Sequence, residues 1–179
     1  MAHATAARPG SAARSASSGD GKLSVAAGRL DRMSMPPHLS IVTLGVADLA
    51  RSIGFYRALG WRQAVSSVDG VISWFDAGGT WLGLFPTPDL AEDAGFDRDA
   101  GPRPGAFFGV TLAVNVGSEA EVDDALAAAI VAGGTLRVPA VLTDFGVYRG
   151  YVADPDGHLW EVAHNPGFPI RTDGGIDIP

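Results

Sequence analysis

The chain contains no cysteine, which excludes disulfides, thiolate metal ligands and cysteine nucleophiles. That suits a reducing compartment, and a cytoplasmic protein is expected. No apolar run approaches the roughly 18 residues that a membrane-spanning helix needs. The N-terminus also lacks the apolar stretch of a secretory signal, so no membrane partner is expected. There is no Gly-x-Ser-x-Gly elbow, no serine beside a plausible base and no glycine-rich phosphate loop, so neither a nucleophilic triad nor a nucleotide site is visible.

Positive charge is scarce where the chain is apolar. The net charge of the 179 residues is −7. Residues 1–37 hold Arg8, Arg14, Lys22, Arg29 and Arg32 against Asp20 and Asp31, so residues 38–179 carry −10. A body this acidic cannot neutralise phosphates, the main source of nucleic-acid affinity. A small organic molecule is the expected partner. With 46% hydrophobic residues, one domain can bury a core without cross-links.

Residues 1–37 are rich in Ala, Ser, Gly and Arg and lack apolar periodicity. Such a stretch does not bury enough surface to offset its ordering entropy, and a disordered leader is expected. It is similar in composition to an organellar transit peptide; the simpler reading is an unstructured leader with initiation at Met33 or Met35.

From His38 the pattern is regular. A strand is expected over Leu39–Val46, then a helix capped by Asp48, with Leu49, Ile53, Tyr56 and Leu59 at helical spacing and Gly60 as its stop. Strands over Trp61–Ser66, Val71–Asp76 and Thr80–Phe85 follow. Residues 86–105, dense in Pro, Gly and Asp, read as a linker. The order then repeats: a strand over Phe108–Val116, a helix capped by Ser118 with Glu121 three residues on, and strands near Thr135–Val138, Val147–Asp154 and His158–Ala163. The expected organisation is a leader (1–37), a first module (38–85), a linker (86–105), a second module (106–165) within a domain spanning 38–168, and a surface tail (169–179). The expected fold is α+β: two βαβββ modules in one curved mixed sheet around a concave pocket, helices outside.

Two segments carry a family resemblance: Val46-Ala-Asp-Leu-Ala-Arg-Ser-Ile-Gly-Phe-Tyr-Arg-Ala-Leu-Gly-Trp61, and Tyr151-Val-Ala-Asp-Pro-Asp-Gly-His-Leu-Trp-Glu-Val-Ala-His-Asn-Pro166. Together they resemble the vicinal-oxygen-chelate superfamily of glyoxalases, bleomycin-resistance proteins and extradiol dioxygenases. The resemblance implies four metal ligands, one from the first and last strand of each module. By position these fall at Ile41, Gly83, Thr111 and Glu161, and only Glu161 is a ligand type. One carboxylate and a hydroxyl do not hold a divalent ion usefully. No cofactor is therefore expected, and the leading reading is a metal-free protein that binds or sequesters a small molecule. The alternatives are a metal-dependent lyase or dioxygenase using Glu161, and a pocketless structural or regulatory partner. A homodimer would fit the family.

Alternation along the last strand puts Glu161 on the face opposite Trp160 and Val162. The Asp154-Pro-Asp-Gly-His158 turn has the form of a type I turn closed by a bulged glycine, a register that sets Tyr151 opposite Glu161 and Arg149 diagonal to it. A carboxylate on an apolar face needs a proton or a positive partner, and Arg149 is the candidate. Trp81 and Phe85 share parity with Gly83 and are candidate pocket walls; Thr43, Thr111 and Asn115 are candidate polar contacts. His38, His158 and His164 fall on the wrong parity or at a turn and read as structural or solvated, and His3 lies in the leader.

Overall fold

The computed structural model describes residues 35–101 and 105–179; the leader expected over 1–37 lies outside them up to residue 34. Residues His38–Pro179 form one compact unit. Its elements run β1 (Ile41–Val46), α1 (Leu49–Ala58), β2 (Ser73–Asp76), β3 (Trp81–Pro86), α2 (Thr87–Asp93), β4 (Thr111–Asn115), α3 (Glu119–Val131), β5 (Thr135–Leu142), β6 (Tyr148–Ala153) and β7 (Leu159–His164).

The architecture is α+β, and each module's strands pair among themselves in a mixed sheet. The first sheet has the order β1-β3-β2 and the second β4-β7-β6-β5. In both, the module's first and last strands lie side by side and parallel: Thr43 pairs with Gly83 in one, Ala113 with Glu161 in the other. The repeat legible in the sequence thus places two equivalent strand pairs. Helix α1 packs on β2 and β3, and α3 packs on β5, β6 and β7.

The helix caps form as the sequence dictates. Asp48 accepts from the Arg51 amide at 3.0 Å, and Ser118 from the Glu121 amide at 3.2 Å. The Glu121 carboxylate reaches back to the Gly117 amide rather than to that of Ser118.

Two local expectations fail. Trp61–Ser66 is no strand: its pairing is confined to a bridge between Gln63 and Phe75. The Ser67 hydroxyl takes the Trp74 amide at 3.0 Å, so a side chain replaces a ladder carbonyl and the segment turns away. The expected linker contains α2, with Pro88 in its first turn, where a missing N–H costs nothing. Gly45 leaves it room: a Cβ there would lie 3.0 Å from Thr87 Oγ1 and 3.4 Å from Leu90 Cδ2.

The two modules share one core. Leu44, Val46, Phe55, Tyr56, Phe75, Leu82 and Leu84 of the first join Val122, Leu126, Ala129, Val152 and Val162 of the second. At the junction, Trp160 meets Trp61 edge to face at 5.4 Å and Tyr56 at 6.1 Å, a geometry aromatic pairs favour. The helix-facing side of each sheet is therefore buried, which leaves the opposite side for a site.

Candidate functional site

The hairpin between β6 and β7 fixes the last strand, and it does so by two buried aspartates. Asp154 is 3% exposed. Its carboxylate accepts from the Tyr56 hydroxyl at 2.8 Å and from the amides of Asp156 and His158 at 2.9 Å. The Trp160 indole donates in turn to the Tyr56 oxygen at 3.1 Å. Asp156 accepts from the Ala47 amide at 2.8 Å, from Arg51 at 2.7 Å and from the Ser52 hydroxyl. His158 Nε2 lies 2.8 Å from the Gly45 carbonyl; because a carbonyl can only accept, that nitrogen carries the hydrogen. Burial pushes the Tyr56 hydroxyl far up, with Asp154 adding to the effect, and burial also raises Asp154.

The turn thus bolts the second module to the start of α1. Gly157, at φ +93°, closes it, and Asp154 faces His158 through a 2.9 Å backbone bond. That register sets Tyr151 opposite Glu161 and Ala163 opposite Arg149. Arg149, Tyr151 and Glu161 consequently share the face of the second sheet turned away from α3.

On that face Arg149 Nε lies 3.5 Å from Glu161 Oε1, and the guanidinium carbon sits 5.1 Å from the centre of the Tyr151 ring. The guanidinium supplies positive charge to the carboxylate while stacking on the phenol. Burial raises the Tyr151 hydroxyl, and the adjacent Glu161 raises it further. Burial of the pair is partial: the side chains are 35% exposed for Arg149 and 22% for Glu161, so Glu161 keeps part of its hydration.

Arg149, Glu161 and Asn115 line a cavity of about 860 Å³ together with Thr143, Phe145 and Asn165. The last three were not read from the sequence; the loop after β5 and the segment after β7 bring them in. Ile176 of the tail reaches the same cavity. Thr111 lies on the same strand face as Asn115, exposed, two residues before Ala113, the partner of Glu161. The remaining candidates stand on the first sheet. Trp81 lines a different cavity, of about 610 Å³, with Leu82, Leu112 and Trp160 among its walls. Thr43 pairs with Gly83, and Phe85 with Gly45. The two groups of candidate residues are thus not gathered into one cavity.

The positions that the family resemblance assigns to a divalent ion do not fit one. Ile41 is an apolar side chain, 45% exposed. Gly83 is held closed by its neighbours: a Cβ there would sit 2.6 Å from Trp74 Cζ3 and 3.1 Å from Thr43 Oγ1. Beside Glu161 stands a guanidinium, a charge competitor for any cation. Among the described residues no three His, Asp or Glu side chains stand close enough to share an ion. His164 Nδ1 lies 3.1 Å from the Val116 carbonyl, and His158 is taken by Gly45, so both have structural partners.

Fold and motif together define a vicinal-oxygen-chelate protein, and the comparison with known families agrees. The profile of the glyoxalase, bleomycin resistance protein and dioxygenase superfamily matches residues 38–162, and the chain belongs to that superfamily. A glyoxalase-related enzyme from Fulvimarina pelagi is 37% identical, with a TM-score of 0.70, over 79% of this chain and 98% of its own. A glyoxalase/bleomycin resistance protein/dioxygenase from Nocardioides is 24% identical, with a TM-score of 0.61, over 74% of this chain and 86% of its own. A lactoylglutathione lyase from Agrobacterium tumefaciens is 22% identical, with a TM-score of 0.55, over 74% and 96%. The last two likenesses show the fold alone. No curated protein matches the chain.

Proposed function

We propose that this protein binds a small organic molecule without a metal ion, on the open face of its second sheet around Glu161, Arg149 and Tyr151. One observation carries the reading: Arg149 stands 3.5 Å from Glu161, so a guanidinium supplies positive charge to the one ligand-type residue among the four inherited positions. A ligand there meets a paired carboxylate and guanidinium, the ring of Phe145 and the amide of Asn115, in a cavity large enough for a drug-sized molecule. Without an ion to polarise a substrate, binding is the activity this set of groups supports. A chain without cysteine is compatible with a reducing, cytoplasmic location. Ile41 and Trp81, 45% and 39% exposed, support a homodimer that covers the first sheet.

A thermal-shift screen of small organic molecules on the full chain, with and without chelator, tests this. Hits should persist in chelator and be lost in both Glu161→Ala and Arg149→Ala. Hits that require added metal, or that survive both substitutions, would place the activity elsewhere.

A further inference from the structure

Seven arginines lie among the described residues, in a body where carboxylates far outnumber them. Six have side-chain partners. Arg51 pairs with Asp156, Arg57 with Gln63, Arg62 with Asp76, Arg98 with Asp89 and Glu92, Arg149 with Glu161, and Arg171 with Asp173 and Asp177. Arg137, on β5, has no partner among the described residues. It lines a cleft of about 600 Å³ that shares no wall residue with the Glu161 cavity.

The other walls of this cleft come from the end of β1, the first turns of α1 and α2, the hairpin turn and the segment before β4. Its chemistry is mixed. Phe107 and Phe108, 69% and 36% exposed, supply aromatic surface, and Phe108 lies 5.7 Å from the His158 ring. Arg51 and Arg137 supply two positive charges, and Asp156, already bonded to Arg51, supplies one negative charge. Among the described residues, the ionised side chains of the cleft therefore sum to one positive charge in a body that carries −10.

We infer that this cleft is a second binding site, for an aromatic carboxylate. Arg137 is the group that receives the carboxylate, since a guanidinium matches its two oxygens as a fork. Phe107 and Phe108 cover the ring. A single surplus positive charge suits a monoanion and leaves a phosphate dianion undercompensated. Arg51, held by the buried Asp156, shapes the wall and adds a second positive edge. The acidic remainder of the body repels anions elsewhere, so the ligand is steered to this positive concavity.

Calorimetric titration of the full chain with naphthalene-2-carboxylate, and with its neutral carboxamide, tests the assignment. The carboxylate should bind and the amide should bind roughly tenfold or more weaker, because a charge-assisted contact is lost. Arg137→Gln, an exposed substitution, should weaken the carboxylate by a similar factor and leave the amide unaffected; Arg137→Lys should fall between. Equal affinity for the two probes, no binding at millimolar concentration, or full retention in Arg137→Gln would overturn the site. Loss in Arg149→Met with retention in Arg137→Gln would assign the aromatic anion to the Glu161 face instead. A ligand lost in Arg137→Gln but retained in Glu161→Ala and Arg149→Ala reports on this cleft alone, so the proposed binding at Glu161 stands or falls separately.

Discussion

Replacing Tyr56 by Phe removes a single oxygen from the point where the two modules meet. That oxygen is fully buried: it donates to Asp154 at 2.8 Å and accepts from Trp160 at 3.1 Å. Phenylalanine keeps the ring, its contacts with Phe55, Phe75 and Trp160 and nearly all of the side-chain volume, so the loss is polar. Asp154 retains its two backbone donors, but one carboxylate oxygen loses its side-chain partner, and the indole N–H of Trp160 loses its acceptor. An unsatisfied buried group costs about 1–3 kcal/mol, so the substitution should destabilise the body by roughly 2–4 kcal/mol in all. Denaturant unfolding monitored by tryptophan fluorescence measures this, with the slope against denaturant unchanged. In an Asp154→Asn background the same change should cost at least about 1 kcal/mol less, since the coupling to the carboxylate is already altered. A cost below about 0.5 kcal/mol, or strict additivity, would refute the latch.

Asp154 also predicts a pH dependence. Burial raises its folded-state pKa above the unfolded value of about 3.9. The native state then holds a proton where the unfolded chain has lost it. The associated stability is fully present below about pH 4 and is lost as pH rises through the raised value. The stability of the wild type relative to Asp154→Asn should accordingly fall as pH rises above about 4; a rise would mean that the hydrogen bonds to the carboxylate outweigh its burial. Arg149→Ala should cost about 1 kcal/mol, because Glu161 and Arg149 remain partly hydrated, and a double-mutant cycle with Glu161→Gln should return most of that as coupling. Gly83→Ala should destabilise by about 1–3 kcal/mol, since its Cβ must displace the Trp74 ring; a neutral result would show that a ligand side chain could be accommodated there after all.

Much of the architecture was legible because it depends on local signals. Asp48 and Ser118 are cap residues with periodic apolar faces behind them, and both helices begin there. The register of the final hairpin followed from its turn sequence, and with it the pairing of Tyr151 with Glu161. The failures came where tertiary partners decide. Trp61–Ser66 has a strand's composition, but the Ser67 hydroxyl competes for the Trp74 amide. Residues 86–105 have a loop's composition, yet Thr87–Asp93 finds a docking face on β1 because Gly45 presents no side chain. At the site, alternation identified the face of Glu161 but not its surroundings. Thr143, Asn165 and Ile176 reach the cavity through loops whose paths no periodicity encodes. The role of Asp156 was missed for a related reason, since its partners Ala47, Arg51 and Ser52 lie about a hundred residues earlier. A polar Ser52 on the buried face of α1 was the available clue.

Metal content tests the account most directly. Elemental analysis of the full chain, purified without chelator and then equilibrated with zinc, nickel, iron and manganese in turn, should find far less than one tightly held ion per chain, and chelator should leave the melting temperature unchanged. One ion per chain that survives dialysis and disappears in Glu161→Ala would contradict the metal-free reading.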